Sequence, residues 1–312
     1  MLSHDNIYWE SMRLIEFFGT DMKREVVVSY LPLSHIGGQL QDMWVALFSM
    51  STVVFADNMA LKGTLMETIR EARPTLFFGV PRVWEKIMEG MQDIARSKNG
   101  AQKMISNSFK QAGRDHHLNS KDTLMYAIAN KSFYPSVLQA LGLDRCKGFW
   151  SGAAPIREET LNFFLGYDIM IHELYGMSET AGVHLAMSGD KPMIGSVGKP
   201  IEGLEVKLEN EDSNGQGEIC MRGRNIMMGY LNCKDKTTEA IDGNGWIHSG
   251  DLGWIGPKGH VYVTGLHYDS AIKYSKFLKF LIIQNLLINI FFRENERIDN
   301  NCRRRKHRSH SN

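Results

Sequence analysis

The chain is poor in the features that mark specialised protein classes. Its 312 residues include four cysteines, Cys146, Cys220, Cys233 and Cys302, widely spaced and without a CxxC pair, so spacing suggests neither a zinc site nor a disulfide framework. Thiols in that pattern suit a reducing, cytosolic setting. Charge of one sign is lacking too: 36 basic and 35 acidic residues leave a net charge of +1, which provides no electrostatic footprint for nucleic acid. The amino terminus, interrupted by Asp5, Glu10 and Glu16, lacks the basic-then-apolar layout of a secretory signal. There is no GxSxG elbow, and Ser34 and His35, being adjacent, do not face each other on a helix or strand, so a serine hydrolase is not indicated. No apolar run reaches the ~20 residues of a membrane span; Phe277 to Phe292 is shorter, and Lys279, Gln284, Asn285 and Asn289 interrupt it.

What remains has ordinary globular proportions, 43% hydrophobic and 23% charged residues, with length for about two domains. Glu25 to Tyr30, Thr52 to Phe55 and Thr75 to Val80 read as strands. Between them, Leu40, Met43, Trp44, Leu47 and Phe48 have the spacing of an amphipathic helix, and Leu61, Leu65, Ile69 and Ala72 mark another that stops before Pro74. Pro81 suits the first turn of a helix striped by Val83, Trp84, Ile87, Met88 and Met91, residues whose spacing favours a core role, as it does for Trp44. Ser97 to Ser136 reads as helical and peripheral; the βα rhythm resumes with Gly148 to Ser151, a helix near Arg157 to Leu165, and Asp168 to Leu174. Alternation of this kind predicts an α/β fold, a parallel sheet with flanking helices. After Gly195, short strands and a turn at Asn214-Gly215 predict a smaller β-rich subdomain. The expected division is 1–190, 191–265 and an unrelated tail, 266–312.

The most informative stretch is Tyr175-Gly176-Met177-Ser178-Glu179-Thr180, directly after a strand-like run. Open α/β sheets bind ligands in loops at the carboxyl ends of strands. Glu179 can hold one face of a Mg²⁺ completed by phosphate and water oxygens, and Ser178 and Thr180 can donate to phosphate. An equally physical alternative is a Ser/Thr-rich turn whose side chains cap the backbone. Gly152-Ala153-Ala154-Pro155 permits close backbone approach to a flat ring, or else makes a tight strand-to-helix turn with Pro155 at the helix start. Asp251, in Ser249-Gly250-Asp251, can accept from ribose hydroxyls or start an Asx turn.

Together with Leu31-Pro32-Leu33-Ser34-His35 and Gly79-Val80-Pro81-Arg82-Val83-Trp84-Glu85-Lys86, these stretches resemble the adenylate-forming synthetases, and among them the long-chain fatty acyl-CoA synthetases. Ala60-Leu61-Lys62-Gly63 and Asn162-Phe163-Phe164-Leu165-Gly166 are similar to the bubblegum-type branch. The likeness runs from Met1 to about Gly265. It implies ATP-dependent adenylation of a long-chain fatty acid followed by thioester formation with CoA, with ATP and Mg²⁺ as cofactors. By resemblance, Thr180 and Glu179 are catalytic, contacting phosphate and Mg²⁺ respectively; Tyr175 flanks the adenine; Gly152, Ala153, Ala154, Pro155, Gly176 and Ser178 line the nucleotide; Asp251 holds the ribose; and His35 lies near the acyl substrate.

The family's phosphate loop would stand before Met1, and the arginine expected after Gly265 is Leu266 here. None of Lys273, Lys276 and Lys279 sits in a recognisable version of the family's catalytic-lysine motif. The resemblance therefore implies a chain truncated at both ends, with the identity of a ligase and little or no activity. The alternative is a non-catalytic form that binds nucleotide or partners. Leu266 to Asn312 contains no glycine or proline and ends in Arg303-Arg304-Arg305-Lys306-His307-Arg308. It reads either as an interfacial helix with a basic tail, giving weak membrane-surface association peripheral to the endoplasmic reticulum, or, as favoured here, as an unspliced or shifted reading frame.

Overall fold

The computed structural model describes residues 1–19, 25–97, 99–189 and 191–266. Helix α1 (His4–Phe18) begins where Ser3 and Asn6 cap each other's backbone N–H groups, and ends at Gly19 in the left-handed conformation. Strand β1 (Val26–Ser29) leads through the short helix α2 (Ile36–Gly38), a π-helical segment (Gln39–Val45) and α3 (Ala46–Ser49) to β2 (Thr52–Phe55), its parallel partner. Then come α4 (Leu65–Ala72), β3 (Leu76–Phe78), and α5 (Pro81–Arg96), which has proline in its first turn as expected. The region expected to be helical and peripheral forms α6 (Gly100–Asn119) and α7 (Leu124–Leu141). β4 (Gly148–Ser151), α8 (Glu158–Leu165), β5 (Ile171–Met177), β6 (Gly182–Ala186) and β7 (Lys199–Pro200) complete a five-stranded sheet in the order β3-β4-β5-β6-β7. β3, β4 and β5 are parallel, and β6 and β7 run antiparallel.

Both faces of this sheet are covered, so its strands are apolar on both sides. On one face Phe77, Phe149 and Ile171 pack with the fully buried Trp84 and Phe164; on the other, Leu76, Phe78, Trp150 and Leu174 meet Leu14 of α1 and Leu40 and Val45 of the π segment. Trp84 makes edge contacts with Phe77 and Phe164 and donates from Nε1 to the Trp150 carbonyl at 3.1 Å. β1 joins the carboxyl edge of β3 through Tyr30, whose hydroxyl donates to the Phe78 carbonyl and accepts from Val80 N–H, both at 3.0 Å.

The β-rich part holds β8 (Glu205–Glu209), β9 (Gly217–Arg222), helix α9 (Lys234–Ala240), β10 (Ile247–Ile255) and β11 (Val261–Leu266), with the sheet order β11-β10-β9-β8. The Asn214-Gly215 turn joins β8 to β9, with Asp212 accepting backbone N–H groups across it. Met1–Ser249 with Gly253–Thr264 form one compact unit, within which the expected division near residue 190 falls. A second unit comprises Gly250–Leu252 and Gly265–Asn312. The tail expectations, including Lys273, Lys276, Lys279 and Cys302, lie outside the described residues.

Three expectations are corrected. Met43, Leu47 and Phe48, read as an apolar helix face, are exposed, while Leu40, Asp42, Val45, Ala46 and Ser49 are buried. One extra residue per turn in the π segment rotates the face by about 100° relative to a 3.6-residue helix. Secondly, β5 does not end at Leu174: it runs through Tyr175, Gly176 and Met177, with a register shift between Tyr175 and Gly176, because β6 pairs with it. The signature stretch is therefore the last part of a strand, Tyr175 to Met177, followed by the Ser178–Thr180 turn of a hairpin, and not a loop throughout. Thirdly, Pro155 precedes the helix: α8 starts at Glu158, with Arg157 at the N-cap position and no side-chain cap.

Candidate functional site

The register of β4 against β5 pairs Ser151 with Glu173. Both strands point the same way, so the segment after Ser151 and the end of β5 share one edge of the sheet. Gly152 lies there against the Leu174 carbonyl, and a side chain at 152 would press on it. Ala153, Ala154 and Pro155 are exposed beyond it, Ala153 in the left-handed conformation (φ 70°). Beneath this edge Glu173 is buried, which pushes its carboxyl up to about 7. The Ser151 hydroxyl is buried without a hydrogen-bond partner among the described residues.

Gly176 makes the hairpin tip sterically possible: a Cβ there would overlap the Gly182 carbonyl oxygen. Ser178–Thr180 form a single 3₁₀ turn. Thr180 is fully buried, and its hydroxyl accepts Met177 N–H while facing the Met177 and Gly182 carbonyls, all at 3.0 Å. Its visible task is to hold the turn. Ser178 is exposed and Glu179 half-buried. The Glu179 main-chain carbonyl accepts Met227 N–H at 2.8 Å, and Oε1 accepts the Tyr230 hydroxyl at 2.8 Å. Oε2 has no hydrogen bond among the described residues. Burial first and then the Glu179 carboxylate raise the Tyr230 phenol above its ordinary range, so it remains a donor.

This arrangement fits a hard cation. One carboxylate oxygen is clamped by Tyr230, and the other is left for an ion that also takes water and phosphate oxygens. Sequence reasoning missed Tyr230, which lies 51 residues from Glu179 with no motif to mark it.

His35 is exposed and caps α2, its Nδ1 accepting Gly37 N–H at 3.0 Å. Gly37 in turn lines an apolar cavity of about 90 Å³, walled chiefly by Leu14, Leu40, Val45, Leu76, Trp150 and Leu174. The next residue after His35, Ile36, and also Leu40 approach Gly182 behind the hairpin tip. The structure thus places His35, the cavity and the 175–180 tip on connected elements of the first unit. Asp251 falls on β10 in residues that belong to the second unit, and it is half-buried.

Compared with known proteins, the chain is 44% identical over 273 residues to a long-chain-fatty-acid–CoA ligase, ACSBG2, of Gallus gallus, covering 85% of this chain and 36% of that protein. It is 45% identical over 276 residues to ACSBG2 of Xenopus laevis, covering 85% and 37%. The chain therefore spans little more than a third of the length of these relatives. Among solved structures, O-succinylbenzoate coenzyme A synthetase (MenE) from Bacillus subtilis in complex with ATP and magnesium ion shares the fold, with a TM-score of 0.59, 20% identity, and coverage of 84% of this chain and 46% of that one. The family model described as AMP-binding enzyme matches residues 1–231. That stretch contains the sheet, the hairpin tip and Tyr230, so the chain belongs to the AMP-binding enzyme family.

Proposed function

We propose that this chain forms the nucleotide- and acyl-binding part of an ATP-dependent long-chain fatty acid–CoA ligase. The observation that carries the reading is the meeting, at one sheet edge, of the Gly152 to Pro155 segment and the end of β5 that leads into the Ser178–Thr180 turn, in a chain of this family. In this reading Glu179 Oε2 holds Mg²⁺, whose chemistry is to neutralise phosphate charge. Gly152, Ala153, Ala154 and Pro155 wall the nucleotide, Gly176 permits its close approach, Tyr175 flanks the adenine, and Ser178 donates to phosphate. Thr180 shapes the turn and contributes to the phosphate site, and Asp251 holds the ribose. His35, which caps the turn whose Gly37 lines the apolar cavity, lies near the acyl substrate, and the cavity receives methylenes of the fatty acid. The chain's work in adenylation is positioning and charge stabilisation, with CoA as the second substrate. Residues 1–190 make up the nucleotide- and acyl-binding portion, and 191–265 a smaller β-rich subdomain.

Association with a membrane surface, peripheral to the endoplasmic reticulum, is the corresponding proposal for 266–312; no helix among the described residues is long and apolar enough to cross a membrane. A second reading, a non-catalytic binder of nucleotide, is favoured by the Thr180 hydroxyl, which is committed to its own turn.

Equilibrium binding of ATP with Mg²⁺ to the purified chain, followed by pyrophosphate release with palmitate and CoA, tests both. Saturable, Mg²⁺-dependent binding weakened about tenfold or more in Glu179→Gln supports the site. Pyrophosphate release then identifies a ligase, binding without release identifies the second reading, and no binding overturns both.

A further inference from the structure

Cys220 is fully buried, yet it is on the wrong face of β9 to belong to the core. Its neighbours Ile219 and Met221 point into the β-rich cluster with Ile247 and Val261, and strand alternation sends Glu218, Cys220 and Arg222 to the other side. Cross-strand pairing sets Lys207 opposite Cys220 and Glu209 opposite Glu218. β10 adds His248. The Cys220 thiol is therefore covered by polar groups: its Sγ lies 3.6 Å from Glu209 Oε2 and 3.5 Å from His248 Nδ1, and that nitrogen is 3.1 Å from Glu218 Oε2. His248 Nε2 is 3.9 Å from Glu209 Oε2. The donor atoms of Glu209, Cys220 and His248 all lie within 4.8 Å of one another.

We propose that Glu209, Cys220 and His248 form a site for a divalent transition-metal ion of the zinc class, with Glu218 beside it, its Oε2 3.1 Å from His248 Nδ1. One thiolate, one imidazole and one carboxylate are donors that zinc accepts, and a water would take the fourth tetrahedral position. The spacing fits as well. Tetrahedral zinc, with bonds of about 2.3 Å to sulfur and about 2.1 Å to nitrogen or oxygen, holds sulfur and a lighter ligand about 3.5 Å apart, as Sγ stands from its two neighbours here.

Charge points the same way. Two carboxylates directly opposite on adjacent strands repel. Lys207, 3.0 Å from Glu209, offsets one of them, and the Cys220 thiolate with the Glu209 carboxylate would together balance a dication. Glu209, Glu218 and His248 side chains are 36%, 16% and 25% exposed, so an ion has a path from solvent. Burial, then Glu218 and Glu209, push the Cys220 thiol up to about 12; binding must break its S–H bond and release the proton to water as the S–metal bond forms.

The test uses the full chain, stripped with chelator and titrated with Co²⁺. The expected result is one equivalent bound, with a near-ultraviolet thiolate-to-cobalt charge-transfer band that one equivalent of Zn²⁺ bleaches. Affinity should rise about tenfold per pH unit between pH 6 and 8, because one thiol proton is displaced. Cys220→Ser abolishes the band, His248→Gln weakens binding at least about tenfold, and Cys233→Ser, at an exposed thiol outside the cluster, changes neither. If Cys220→Ser fails to fold, His248→Gln decides, since that side chain is partly exposed. Absence of the band, its persistence in Cys220→Ser, its loss in Cys233→Ser, or unchanged affinity in His248→Gln overturns the proposal.

Discussion

Glu10 permits the sharpest test of how this fold is held around its candidate site. It is fully buried on α1, where Oε1 accepts Val183 N–H and Oε2 accepts the Asn225 amide, both at 3.1 Å. It thus ties α1 to the strand behind the hairpin tip and to the segment that carries Tyr230. Desolvation dominates the two hydrogen bonds and raises its carboxyl from 4.5 to about 8. Between those values the unfolded chain has lost the proton and the folded chain keeps it, so stability falls as pH rises. The contribution is complete below pH 4.5 and gone by about pH 8. Glu10→Gln mimics the protonated form, and the Asn225 Oδ1, without a partner among the described residues, can accept the new amide after a side-chain flip. At about 1.4 kcal/mol per pH unit, the variant should exceed the parent by about 4 kcal/mol at pH 7.5 and by less than about 1 kcal/mol at pH 5. Urea unfolding of both proteins at the two pH values reads this difference directly, since every other titrating group is common to them. A difference that does not change with pH, or a variant less stable at pH 7.5, would refute the reasoning.

Other consequences can be measured alongside. His184, buried next to Asn225, is lowered to about 4 by desolvation; the folded state resists its protonation, so its contribution is present above pH 6.5 and lost as pH falls toward 4, and His184→Gln should flatten that limb of a melting-temperature profile. Gly176→Ala forces a Cβ into the Gly182 carbonyl and should cost on the order of 3 kcal/mol, seen as a lowered melting temperature. Trp84→Ala empties the centre of the core beside the sheet and leaves the Trp150 carbonyl without the indole donor; a loss of about 3–5 kcal/mol is expected in urea unfolding. Tyr230→Phe removes the clamp on Glu179 at about 1.5 kcal/mol, and in the proposed function it weakens ATP binding with Mg²⁺ by less than Glu179→Gln does, as titration calorimetry would reveal.

Much of the large sheet was legible because its signals are local. Val26 to Ser29, Thr52 to Phe55 and Leu76 to Phe78 are short apolar runs between breakers, and each became a strand. Pro81 opens α5 for reasons confined to its own ring and missing N–H. Tyr175-Gly176-Met177 reads as a loop by composition; it is a strand because Gly182–Ala186 folds back and supplies partners. The helix after His35 has the expected apolar residues, but a π turn, which no local pattern marks, presents Leu40 and Val45 to the core instead.

The sequence by itself determined the order of elements, the α/β character and the family wording at Tyr175 to Thr180, since propensity, periodicity and motif chemistry act over a few neighbouring residues. Only the tertiary structure decided that Tyr230 clamps Glu179, that Glu10 is held without water, and that Cys220 meets Glu209 and His248 across 11 and 28 residues of chain. Those facts depend on which strands pair and which groups lose their water, and both are settled by contacts between distant segments.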